Sequence, residues 1–206
     1  MKRALLVIDV QNEYVTGGMP ITFPAPSLSL ANVAAAMDAA IQEGVPVVVV
    51  QHAAPAGAPV FGKGSQGHAL HDVVASRPRD HLVEKTLPSS FVGTDLAGWL
   101  EHRGIDTLSI VGYMTQTCDE QTARDAVHRG YRVEMLSDAT GTVGLSNRTG
   151  TLSAQEIHHA VLVVMQSFFA SVATTAEWIG AVRAKAPLAR PDFAAATDAG
   201  QTGAGA

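Results

Sequence analysis

Three residues have the types from which a covalent catalytic group can be built: Asp9, Lys85 and Cys118. An acid, a cation and a thiol converging on one cleft make a nucleophile with an activating partner. Asp9 closes the apolar run of LLVIDVQNEY. A carboxylate at the C-terminal tip of a central strand stands where open α/β sheets bind ligands, although the same residue can simply cap the following turn. Cys118 opens a helix, where the N-terminus stabilises a thiolate and unpaired N–H groups can bind a developing oxyanion. A lone cysteine is otherwise a small buried hydrophobe. Lys85, in VEKTLPSSF, follows a strand and enters a loop. Positioned loop side chains do chemistry, but a lysine there is otherwise solvated.

The elements that must hold these residues follow from apolar periodicity. Short Val/Ile/Leu-rich runs at 4–8, 46–50, 107–111 and 132–136 read as strands, with a weaker one at 80–84 and a last one at 168–173. The first three are nearly continuous, as in strands buried on both faces of a parallel sheet. Between them, Leu30, Val33, Ala34, Met37 and Ile41 fall on one helix face, and Gly44 follows as a stop. Thr94 is placed to cap a helix at 95–102, and a further helix spans 119–129 before Gly130. Ser153 with Glu156 forms a capping box for 154–166, and 175–184 is the last helix. This alternation predicts a three-layer α/β fold whose six-stranded, mainly parallel sheet has the Rossmann-like order 3-2-1-4-5-6. In that order strands 1 and 4 flank the switch point. Asp9 and Cys118 then face each other across the crevice, with Lys85 entering from strand 3.

Composition narrows the function classes. Lys+Arg number 14 and Asp+Glu 19, a net charge of −5. With no basic run, this argues against a nucleic-acid partner. One cysteine excludes an intrachain disulfide framework and a multi-cysteine zinc motif. The apolar run after Met1-Lys2-Arg3 stops after five residues at Asp9, too short for a signal peptide. No stretch reaches the roughly 20 apolar residues of a membrane span, so the expected location is the cytoplasm. Residues 1–185 read as one domain, and 186–206, ending QTGAGA, as a flexible Ala/Gly-rich tail. At 47% hydrophobic residues the chain has apolar surface to place in subunit contacts, and a homo-oligomer, dimer or tetramer, is expected.

LLVIDVQNEY, the lysine in VEKTLPSSF and GYMTQTCDEQTARDAVHRGY together resemble the isochorismatase-like cysteine hydrolases, a superfamily that includes nicotinamidases and N-carbamoylsarcosine amidohydrolases. The resemblance covers about 3–182. It implies a triad of Asp9, Lys85 and Cys118 and a cis peptide at Tyr113–Met114. It also implies an oxyanion hole built from the Met114 and Cys118 amides. The implied reaction cleaves a C–N bond of a small amide or carbamoyl substrate through a thioester on Cys118, with Asp9 as acid and base. Lys85 keeps Asp9 ionised. Cys118 argues against vinyl-ether cleavage, whose catalysts in this superfamily lack the cysteine.

Around the triad, Gln11, Tyr14, Phe91 and Tyr113 are expected to line the substrate pocket, with Phe61 as a further apolar wall. Nicotinamidases carry an Asp-x-His metal motif after the second strand, where this chain reads QHAAPAGAPVF. Gln51 replaces the acid, so no metal and no cofactor is expected. His52, His68 and His71 remain the candidate ligands, the last two spaced to share a helix face. Asp119 is expected to cap its helix and Asp138 to brace a loop. The Gly/Thr/Asn-rich segment 141–150 is expected to form a lid or an oligomer contact. Two alternatives stand beside the leading reading: a metal-assisted, nicotinamidase-like amidase, and a catalytically silent oligomer that binds a metabolite.

Overall fold

Arg3–Ile8 (β1) is buried along its whole length, so a sheet must cover both its faces. In a computed structural model, which describes residues 1–189 and 197, β1 lies at the centre of that sheet. The elements follow in the order Pro26–Gln42 (α1), Val47–His52 (β2), Asp72–Ala75 (α2), His81–Lys85 (β3), Leu96–His102 (α3) and Thr107–Tyr113 (β4). A π-helical turn, Thr115–Asp119, leads into Glu120–His128 (α4). Then come Arg132–Gly141 (β5), Leu145–Asn147 (β6), Gly150–Leu152 (β7), Ala154–Phe168 (α5), Ser171–Ala173 (β8) and Thr175–Arg183 (α6). The main sheet runs β3-β2-β1-β4-β5-β8, and all five pairings are parallel. This is the three-layer α/β architecture and strand order expected from the sequence.

Alternation along β1 divides the core. Leu5 and Val7 face a layer holding Val33 and Met37 of α1 and Trp178 of α6. Ala4, Leu6 and Ile8 face Leu96 and Leu100 of α3, Ala123 of α4, and Leu162 and Met165 of α5. Each fully buried Leu or Val contributes about 1.5–3 kcal/mol, so register errors in β1 would expose an entire face. Asp9 is thereby held at the sheet's C-terminal edge.

Several boundaries differ from expectation. The sixth strand is only Ser171–Ala173, because α5 continues through Phe168 with Leu162 and Met165 on its buried face. A Phe-Phe pair at the end of a helix reads as a strand when seen in isolation. The expected cap Thr94 is displaced by one residue: α3 begins at Leu96, whose N–H meets Thr94 Oγ1 at 3.4 Å. The Ser153/Glu156 capping box forms as expected. Segment 141–150 builds most of a hairpin, β6–β7, with Leu145 opposite Leu152. Of the expected tail, 186–189 and 197 are among the described residues, and the rest lies outside them. The Ala186 carbonyl accepts from Arg3 Nη2 at 2.7 Å, so the segment is anchored where it leaves the domain. Among the described residues no helix is long and apolar enough to cross a membrane.

Candidate active site

Asp9, Lys85 and Cys118 meet at the C-terminal edge of the sheet. Asp9 leaves β1 with φ +53, a left-handed conformation that Asp tolerates better than most residues. Its N–H still reaches Val50 O at 2.9 Å, and its own carbonyl accepts from Gln11 N–H at 2.8 Å. The chain therefore turns sharply while the carboxylate stays over the sheet. Lys85 Nζ donates to Asp9 Oδ2 at 2.7 Å and to Cys118 Sγ at 3.3 Å. The Asp9 and Lys85 side chains are wholly shielded from solvent. Asp9 Oδ1 is buried with no hydrogen-bond partner among the described residues.

The electrostatics follow from this closure. Burial pulls the Lys85 ammonium down, but the Asp9 carboxylate and Cys118 outweigh it and hold its pKa above the ordinary value. Burial, then the negative charge of Asp9, pushes the Cys118 thiol up, against the pull of Lys85. The resting sulfur is therefore a thiol. Its deprotonation must be coupled to a base at hand.

Cys118 lies on the π-helical turn. Thr117 N–H and Asp119 N–H both reach Met114 O, at 3.0 and 3.3 Å. The Tyr113–Met114 peptide is cis. The Met114 N–H makes no hydrogen bond among the described residues. Such wide turns recur at functional sites. This one is braced by His158 of α5: Nε2 donates to Ser137 O at 2.9 Å, which leaves Nδ1 to accept from Thr115 Oγ1 at 2.9 Å.

The pocket residues divide. Tyr14 is at the site, within electrostatic reach of Cys118 and Asp9, with its ring against Phe61 at 5.0 Å and Tyr113 at 5.7 Å. Gln11 does not line the pocket. It is fully buried; its Nε2 donates to His52 O and His68 O, and its Oε1 accepts from His52 N–H. It braces the loops instead. Tyr113 points its hydroxyl away to Ser29 Oγ at 2.7 Å. Phe91 belongs to the core layer, stacked on Tyr131 at 6.0 Å.

The histidines also separate. His52 lies beside Lys85 in the β2–β3 register, and its Nδ1 accepts from Lys85 Nζ at 3.5 Å. Burial and then the lysine charge lower its pKa, so the imidazole is neutral. Sequence alone leaves His52 between a metal ligand and polar surface or pocket lining; the signal that singles it out is its place opposite Lys85 on neighbouring strands. His68 precedes α2 rather than sharing its face, and His71 Nδ1 caps α2 by accepting from Val73 N–H at 3.2 Å. Gln51 donates to the His68 carbonyl. This donor set has no carboxylate, and among the described residues no group of three His, Cys, Asp or Glu is arranged to hold a metal ion. A metal of the nicotinamidase kind does not fit here.

Asp138 braces as expected, its Oδ1 accepting from Thr175 N–H at 2.8 Å and Thr175 Oγ1 at 2.7 Å. Asp119 does not cap α4: it has helical φ and ψ and no cap hydrogen bond, and it is fully buried. The π-turn rotates it inward, off the face that a regular helix start would give it.

A doubly wound parallel sheet with an acid, a lysine and a thiol at its switch point defines a cysteine-hydrolase type of fold and site. The isochorismatase domain model matches residues 3–177, and the chain belongs to the isochorismatase family of hydrolases. It is similar to an isochorismatase-family chain from Burkholderia xenovorans LB400, with 57% identity and a TM-score of 0.97 over 99% of this chain and 98% of that one. N-carbamoylsarcosine amidase from Thermoplasma acidophilum shares 25% identity and a TM-score of 0.69 over 85% and 97% of the two chains. The ureidoacrylate amidohydrolase RutB of Agrobacterium fabrum is 30% identical over 90% of this chain and 92% of its own.

Proposed function

We propose that this hydrolase cleaves a C–N bond of a small amide, ureido or carbamoyl substrate through a thioester on Cys118. The observation that carries the reading is the single ammonium of Lys85 bridging Asp9 and Cys118, with the acid and the lysine shielded from solvent. The names of the relatives, an N-carbamoylsarcosine amidase and a ureidoacrylate amidohydrolase, support the bond type.

Asp9 takes the thiol proton as the sulfur attacks the carbonyl carbon, so the negative charge is transferred rather than created. The Met114 and Cys118 N–H groups receive the oxyanion. When the tetrahedral adduct collapses, the C–N bond breaks and Asp9 returns its proton to the leaving nitrogen. Water then adds to the thioester with Asp9 as base, the acid departs and the thiol is restored. Lys85 keeps its charge throughout and orients both partners. His52, neutral beside Lys85, also lines a groove of about 410 Å³ with Ala54, Lys63 and Glu84.

Ammonia release from a panel of small amides, ureides and carbamoyl compounds tests the reading, with wild type and Cys118→Ala compared before and after chelation. Cys118-dependent, chelator-insensitive release is expected. Release that persists in Cys118→Ala removes the thioester. Silence across the panel with an unreactive thiol favours the silent metabolite-binding alternative. A homo-oligomer belongs to the same proposal, supported by Leu145, Leu152 and Val163 at 46%, 51% and 65% exposure. A monomer by sedimentation removes that part.

A further inference from the structure

Asp119 follows Cys118 directly, is completely buried, and neither of its carboxyl oxygens has a hydrogen-bond partner among the described residues. An ionised carboxylate in such a place loses its hydration and finds no hydrogen-bond donor in return. The group therefore rests as a neutral acid. It also lies among charges. Asp9 from the end of β1, Lys85 from β3, Cys118 on its own turn, Tyr14 from the Asn12–Tyr14 turn and Tyr113 from β4 all interact with it electrostatically. His158 of α5 faces the same turn at Thr115. Burial first, then the negative charge of Asp9, holds its pKa well above the carboxylate range, with Lys85 pulling the other way.

The charge count explains why a neutral Asp119 matters. Lys85 provides one positive charge, and Asp9 balances it. When the thiol proton moves to Asp9, the thiolate takes over as the balancing charge. A second anion at Asp119 would have no counter-charge and would drive the proton back onto sulfur. We propose that Asp119 is a positioning residue that stores one proton beside the Asp9–Lys85–Cys118 group, and that loss of this proton suppresses the Cys118 thiolate. This deepens the reading of the site given above and rests on it.

The test needs no substrate, so it stands apart from the amide panel. Iodoacetamide alkylation of Cys118 is followed from pH 5.5 to 9.5 in wild type and Asp119→Asn, with Cys118→Ala as the blank. The two rates are expected to coincide wherever the wild-type carboxyl is protonated, since both side chains are then neutral, and a difference there overturns the proposal. Where the wild-type carboxyl has lost its proton, the variant is expected to react about tenfold faster, equivalent to one pKa unit at the thiol; profiles that stay superimposed through that loss overturn the proposal. Infrared spectra provide a second readout that a purely structural role would not produce. Wild type at pH 7 is expected to show the carbonyl stretch of a protonated carboxyl that Asp119→Asn lacks. If the variant does not fold, titration of that band in wild type decides alone: its absence at pH 7 overturns the proposal.

Discussion

Gly112→Ala is the substitution that most directly couples the fold to the site. Gly112 sits on β4 with φ +127, pairing with Ile8 of β1. A Cβ there would strike the Ile8 carbonyl oxygen and lie 2.7 Å from Ile8 C and 2.8 Å from Ile8 N. These are backbone atoms of two central strands, so no side chain can swing aside. Overpacking of this kind costs about 1–3 kcal/mol, and the unfavourable φ a further 1–3 kcal/mol or so. A combined loss of about 4 kcal/mol lowers Tm by roughly 8–16 °C in a domain of this size. The displaced atoms belong to the residue before Asp9, and a shift near 1 Å in a catalytic group costs about 10²-fold in rate. Thermal unfolding read by circular dichroism measures the first effect, and amide turnover the second. Gly98→Ala is the control: it lies in α3 with open space around its Cβ position and should gain about 0.5–1 kcal/mol. A Gly112→Ala protein melting within about 2 °C of wild type would refute the reasoning.

Three further outcomes are expected. Cys118→Ala removes turnover by at least about 10³-fold while the melting curve stays near wild type; wild-type turnover in this variant would exclude Cys118 as nucleophile. Lys85→Met leaves the Asp9 carboxylate buried and unpaired, a loss of about 3–5 kcal/mol measurable by urea unfolding. Because the Lys85 pKa is raised in the folded state, its contribution is complete below 10.5 and fades as pH rises through the folded value; a deficit that grows above pH 10.5 would contradict this. His158→Gln disturbs the brace on the Cys118 turn at a cost of about 1–3 kcal/mol. Burial lowers the His158 pKa, so wild type loses stability as pH falls below 6.5. Melts at pH 7.5 and 5.5 should show a smaller acid loss in the variant, and equal losses would rule out His158 as the source.

The elements that carry the triad were legible because their signal is local. A strand buried on both faces reads as an unbroken apolar run, and the expected β1, β2 and β4 lie within two residues of the observed ends. The expected β5 stops at residue 136, because SDATG after it is polar. A register shift between Ile110 and Gly112 accommodates the extra residues, and no periodicity records such an irregularity. The same limit applied inside the site. Types and order were enough to bring Asp9, Lys85 and Cys118 together, since each ends or follows an element whose place in the sheet was predictable.

Side-chain direction was not predictable where the backbone departs from ideal geometry. Gln11 and Tyr14 sit three residues apart in one loop, yet the first is locked by three hydrogen bonds and the second lies within electrostatic reach of the thiol. Gln11 is extended where it enters the Asn12–Tyr14 turn, and Tyr14 lies on the turn itself. Asp119 makes the point more sharply. On a regular helix start its carboxylate would be a favourable cap. On a π-helical turn the widened backbone carries it inward, and the residue that would have stabilised a helix in solvent becomes an acid that cannot ionise without disturbing its neighbour. The chemistry of that neighbour therefore depends on a backbone feature that residue identity alone does not encode, and a substitution at 119 should be read first at the sulfur of Cys118.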